Sequence, residues 1–145
     1  MDTRWVVVAS NIGAKIYSTN PRVNGRLTLV TELAHPEGLM HGKDFATDRP
    51  GHMQMSGMEG ARSSFEQRDS KDLENDHFTR RLAEFLDAER NKNHYHAVTF
   101  IMLPHFHGQI ERHLNKHVKT MVDKVIQKNY FDKTAHELEE IIREA

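Results

Sequence analysis

The residues best suited to hold an anion lie between Ala34 and Arg68. Arg49, Arg62 and Arg68 bring planar guanidinium forks that match phosphate oxygens two at a time, Lys43 adds a point charge, and Ser63 adds a hydroxyl donor. Gly57 and Gly60 let the backbone approach a phosphodiester chain closely. Lys43, Arg49, Gly57, Gly60, Arg62, Ser63 and Arg68 are therefore the candidate RNA- or phosphate-binding residues. Asp44, Asp48, Glu59 and Glu66 stand among them, so a solvated surface loop with partly cancelled charges is the competing reading. A second group of cations, Arg112, Lys116, Lys119, Lys124, Lys128 and Lys133, is opposed only by Glu111, Asp123 and Asp132. If it adjoins the first group, the case for RNA strengthens.

The eleven histidines offer a different chemistry. His94-Tyr95-His96 and His105-Phe106-His107 each place two rings one residue apart, on one face of a strand; His113 and His117 are four apart, as on one face of a helix. Such pairs can ligate a metal. No His-Glu-x-x-His is present, and the first two pairs bracket a stretch that reads as a strand roughly 20–30 Å long, too far to share one ion. No metal and no cofactor is expected. Ser56, Ser63 and Ser64 have His52 and His77 nearby in sequence, yet no Gly-x-Ser-x-Gly elbow frames them. No catalytic residue is assigned, and the chain reads as a binding module rather than an enzyme; the alternatives are an interaction protein acting through protein–protein contacts and a hydrolase with an unidentified loop site. Met53, Met55 and Met58 alternate, and can pack on the sheet or offer an adaptable contact to a protein partner or a second copy.

These residues need a frame. Residues 34–68 have no apolar periodicity and hold five of the eight glycines, so they read as one long loop, which in a compact domain is usually functional. Ahead of it, Trp5–Ala9 is a short apolar run that suits a strand buried on both faces. Ser10–Gly13 is turn chemistry, Ala14–Ser18 alternates as a second strand, and in Arg26–Leu33 the residues Leu27, Leu29, Thr31 and Leu33 fall on one face of a third. Gly13, Gly25 and Gly51 read as turn glycines. Behind the loop, Asp69 or Ser70 can cap a helix whose apolar stripe is Leu73, Phe78, Leu82, Phe85 and Leu86. Tyr95–Leu103 reads as a buried strand ending at Pro104, and residues 106–115 as a helix. Val118–Tyr130 has helical spacing, yet an α/β return calls for a strand at 118–127. Thr134-Ala135-His136-Glu137 is a capping box opening a last helix, with Leu138, Ile141 and Ile142 inward. The order is β-β-β-α-β-α-β-α: one mixed sheet of about five strands with helices packed on it.

Composition sets outer bounds. A chain of 145 residues fits one domain spanning 1–145. A net charge of −1 excludes a globally basic nucleic-acid binder but not a local basic surface. With no cysteine there is no disulfide, thiolate metal site or cysteine nucleophile. No apolar run approaches the length of a membrane span, and the N-terminal run of five apolar residues does not read as a signal peptide, so a cytoplasmic location is expected.

Several short runs carry a resemblance. Trp5–Tyr17, Asp48-Arg49-Pro50-Gly51, Leu103-Pro104-His105-Phe106-His107-Gly108, Lys128-Asn129 and His136-Glu137-Leu138 resemble, in order and spacing, the bacterial family of proteins required for attachment to host cells. That family is in turn similar to the middle domain of archaeal and eukaryotic peptide-chain release factors. The resemblance implies a strand before the last helix, a loop ahead of the long helix, and a ribosome or structured RNA as partner. In release factors that loop carries Gly-Gly-Gln. Here the matching region reads Gly57-Met58-Glu59-Gly60-Ala61-Arg62-Ser63-Ser64-Phe65-Glu66-Gln67, without that tripeptide, so the resemblance implies binding without peptide release.

Overall fold

The computed structural model describes residues 3–35 and 60–145, with residues 60–72 and 74 as backbone only. At its centre is β1 (Arg4–Ser10), whose run Trp5–Ala9 is buried throughout, as a strand covered on both faces should be. A tight turn leads to β2 (Gly13–Thr19), antiparallel to β1, and β2 pairs antiparallel with β3 (Thr28–Ala34). The long helix α1 (Gly60–Asn91) precedes β4 (Ala97–Ile101), which lies parallel to β1 on its other side. Two short helices, α2 (Pro104–Glu111) and α3 (Lys116–Met121), carry the chain to β5 (Val122–Ile126), parallel to β4. Helix α4 (Ala135–Glu144) follows, opened by the capping box of Thr134 and Glu137. The strand order is β3-β2-β1-β4-β5, a single mixed sheet of the α/β class.

Alternation along β1 divides the core in two. Trp5, Val7 and Ala9 face Phe78, Leu82 and Leu86 of α1, with Phe106 and Ile110 of α2 and Val118 of α3 in the same cluster. Val6 and Val8 face the opposite way, with Tyr17, Ile101 and Leu138 of α4. One face thus carries three helices; among the described residues the other is covered by the ten-residue α4, by Tyr130 and Phe131 ahead of it, and by the 20–27 connection.

Several expectations are corrected. The long helix begins at Gly60, not at Asp69 or Ser70, so residues 60–68 belong to α1 and not to the loop. After Gly60 the run contains no glycine or proline and is rich in Arg, Glu, Ala and Leu, all strong helix formers. Leu73 is 56% exposed and leaves the predicted stripe, while Phe78, Leu82 and Leu86 keep it. In β3 the partners step from Ile16↔Thr31 to Tyr17↔Leu29, leaving Val30 unopposed. That extra residue reverses the alternation. Leu33 joins the helix-rich face and Leu27 the other, while Leu29 is 49% exposed on an edge strand. The ambiguous segment contains both structures, a turn and a half of helix in α3 followed at once by β5. The helix expected over 106–115 begins at Pro104 and ends at Glu111, because Asn115 is committed as the cap of α3, accepting the Val118 N–H. Gly25 takes φ +68°, the left-handed conformation a turn glycine serves, but Gly13 starts β2 buried against the Leu33 carbonyl.

Candidate functional site

The helix-poor face does not close over its whole length. Beside α4 lies an open cleft of about 490 Å³, within the range that holds small molecules. Its floor comes from four adjacent strands whose inward residues switch from apolar to polar toward the same end: Val6 to Arg4 on β1, Tyr17 to Thr19 on β2, Ile101 to Thr99 on β4, and Ile126 to Lys124 on β5. Asn24, Gly25 and Leu27 form one wall, and Glu139, Ile142 and Arg143 of α4 form the other.

The charges on this cleft are unevenly engaged. Arg4 donates from Nη1 to Asp123 Oδ1 at 2.5 Å and to Thr99 Oγ1 at 3.3 Å, so its charge is matched within the floor. Glu139 accepts the Leu27 N–H at 2.8 Å, which ties α4 to the opposite wall. Lys124 donates to the main-chain oxygen of Ala145 at 3.2 Å and pairs with no Asp or Glu side chain among the described residues. Arg143 is exposed and forms no ion pair among them. The Thr19 hydroxyl is buried and has no hydrogen-bond partner among the described residues. Such an atom costs free energy unless something enters to meet it. The arrangement offers one exposed cation without an ion pair among the described residues, Arg143, a second held to a main-chain oxygen, Lys124, hydroxyl and amide groups, and a buried polar atom without a partner among those residues.

The candidates from sequence lie elsewhere. Lys43, Arg49 and Gly57, with Met53, Met55 and Met58, are outside the described residues. Gly60, Arg62, Ser63 and Arg68 stand on the opening turns of α1. Of the second cation group, Lys124 lines the cleft, and Lys116 and Lys119 are exposed on α3. Arg112 caps the C-terminus of α2, and Lys133 lies over the Tyr130 ring. Two of the described histidines serve as struts. His113 donates from Nε2 to Asp76 at 2.8 Å and His94 pairs with Glu89 at 2.7 Å, each holding that carboxyl below its ordinary range through the hydrogen bond. The Asn115 amide, with Arg90, does the same for Asp87. Among the described residues no group of three His, Asp or Glu side chains could hold a metal.

The model of one protein family, described as "Protein required for attachment to host cells", matches residues 5–142. The chain belongs to that family. Among curated proteins no significant match is found. Among the described residues no helix is long and apolar enough to cross a membrane. Sequence reasoning missed Arg4, Thr19, Thr99, Glu139 and Arg143 as site residues for this host-attachment chain. The signal was present but faint: in β1, β2 and β4 the residue two places from a buried apolar one is polar at the same end of the sheet.

Proposed function

We propose that the protein is a non-catalytic binding module of host attachment, and that its cleft takes a polyhydroxylated ligand bearing one acidic group, the chemistry of a sugar acid or sugar phosphate. The observation that carries this reading is the coexistence, in one cleft, of the Thr19 hydroxyl, without a hydrogen-bond partner among the described residues, with two cations, Lys124 and Arg143, that pair with no Asp or Glu side chain among them. Hydroxyls on the ligand meet Thr19, Thr99 and Asn24, and its acid meets Arg143 and Lys124. A volume of about 490 Å³ accommodates one such unit. The test is calorimetric titration with glucuronate, glucose 6-phosphate and, as neutral control, glucose. The acids should bind more tightly than glucose, and Arg143→Ala should weaken the acids about tenfold, the worth of a charge-assisted hydrogen bond, without affecting glucose. Equal binding of all three, or of wild type and variant, would sink the reading.

A second reading rests on the start of α1. Gly60, Arg62 and Ser63 stand in the first turn of a 32-residue helix, at the positive end of its dipole and with no acidic residue in that turn, a setting that favours phosphate; Arg68 follows in the third turn. In that reading the partner is a ribosomal or other structured RNA and the location the cytoplasm, as the resemblance drawn from the sequence motifs implies. RNA binding that weakens steeply with added salt, and is lost on Arg62→Ala with Arg68→Ala, would favour it; salt-insensitive or absent binding would remove it.

A further inference from the structure

The opposite ends of the same strands hold a second, smaller space. It lies past the carboxyl ends of β1 and β4, where the strand order reverses, the place at which open α/β sheets commonly bind ligands. Its volume is about 150 Å³, and a cavity of roughly that size admits benzene. Ala9, Leu103 and Phe106 give it apolar walls, and no Lys, Arg, Asp or Glu lines it. Its polar lining is Ser10, Asn11, Asn75, Asn129 and the exposed His105, and of these Ser10, Asn75 and Asn129 are partly uncommitted. Ser10 Oγ accepts the Ile12 N–H at 3.2 Å, which leaves its own proton to donate. Asn129 Oδ1 accepts the Phe131 N–H at 3.5 Å, which leaves its NH2 group as a donor. Asn75 of α1 is only 7% exposed, and its Oδ1 has no hydrogen-bond partner among the described residues.

The Asn75 Oδ1 calls for a donor and the NH2 beside it can donate, so a ligand edge with a donor and an acceptor side by side engages both. A carboxylate or phosphate offers acceptors alone, and leaves the Asn75 Oδ1 without a donor. We propose that this crevice binds a small, planar, neutral ring carrying a cis-amide edge, the chemistry of a lactam or a pyrimidine base, paired through that edge to Asn75 and packed against Phe106 and Leu103. The site is separate from the cleft beside α4 and does not depend on the reading given for it, since Arg4 and Ala9 mark opposite ends of β1.

The test uses the full chain with uracil and δ-valerolactam as probes, followed by amide NMR and calorimetry, with benzoate and inorganic phosphate as comparison. Uracil and the lactam should bind and shift the amide resonances of Ser10, Asn75 and Phe106, while benzoate and phosphate should bind at least tenfold more weakly. Asn75→Leu, close in size, should lose at least tenfold in uracil affinity and yet unfold at a higher temperature without ligand, because it removes a polar group that lacks a partner. The exposed Asn129→Ala should lose affinity severalfold with its fold intact. Uridine and oligouridylate tell whether the ring is taken free or carried on a sugar, and binding of either supports the proposal. No shift with uracil or lactam, preference for benzoate or phosphate, or unchanged uracil binding in both variants would overturn it. An Asn75→Leu protein that is less stable than wild type and binds uracil as before would also overturn it, by making Asn75 a structural residue only.

Discussion

Leu138 is the side chain on which the helix-poor face depends most. It is fully buried among Val6, Val8, Tyr17, Leu27 and Ile101, whereas Ile141 and Ile142 of the same helix are only half-buried. Leu138→Ala removes three carbons, about 2.4 kcal/mol at ~0.8 kcal/mol for each buried carbon, and leaves a cavity that adds a further ~1 kcal/mol. The expected loss is about 3–4 kcal/mol, or a fall of about 10 °C in Tm for a chain of this size. Because α4 is short and its other apolar residues are shallow, much of the damage should be local. Hydrogen exchange at residues 135–144 should speed up before the rest of the protein opens, and the cleft should lose its ligand along with Glu139 and Arg143. Urea denaturation and amide exchange measure both quantities. A loss below ~1 kcal/mol, or α4 amides as protected as in wild type, would refute the assignment of Leu138 as the anchor.

Three further perturbations have definite outcomes. Gly13→Ala would put a Cβ 2.8 Å from the Leu33 carbonyl, a backbone atom that cannot yield without moving β3, and should cost about 1–3 kcal/mol in thermal unfolding. Asp76 is held below its ordinary value of 3.8 by the hydrogen bond from His113, so its contribution is present above that value and lost as pH falls through the lower folded value. Asp76→Asn should therefore be less stable than wild type at pH 7, with the gap in urea midpoint closing as the pH is taken below 3.8. Burial pushes the Tyr95 phenol well above its ordinary 10.0 while its hydroxyl donates to the Leu86 carbonyl; that stabilisation is complete below pH 10 and is lost as the pH rises beyond it. Tyr95→Phe should cost about 1 kcal/mol at pH 7 and should unfold less steeply than wild type above pH 10.

Much of the fold was legible because it rests on local patterns. The apolar run Trp5–Ala9, the box of Thr134 and Glu137, and the spacing of Phe78, Leu82 and Leu86 each state their own structure. The misreadings fall where a pattern is interrupted. A single extra residue at Val30 reverses the alternation of β3, and no residue type announces a bulge. Residues 118–127 carry helical spacing because α3 and β5 share one apolar surface: Val118, Met121, Val122 and Val125 all pack on the helix-rich face. The site was less legible than the fold. Charge clustering along the chain drew attention to residues 34–68, whereas the cleft is assembled from single residues on β1, β2, β4, β5 and α4. The crevice is similar in kind, since Ser10, Asn75, His105 and Asn129 are neighbours only through topology.

The cleft can be told apart from a mere gap in helix coverage. Five strands at about 4.8 Å spacing span roughly 20 Å, and one helix of about 10 Å diameter leaves part of that width bare. A gap left by economy would be floored with whatever packs best, and the strands have β-branched apolar residues in that role at Val6 and Val8. The floor instead carries Thr19 with a hydroxyl buried and unmatched among the described residues, a choice that lowers stability. Thr19→Val keeps the shape and removes that hydroxyl, so in the absence of ligand it should raise stability by about 1 kcal/mol, and with glucuronate present it should lose binding. Opposite changes in the two quantities are what a recognition site requires. If the valine variant is instead less stable and binds the acid unchanged, the Thr19 hydroxyl is satisfied within the fold, and the cleft loses the feature that makes it a site.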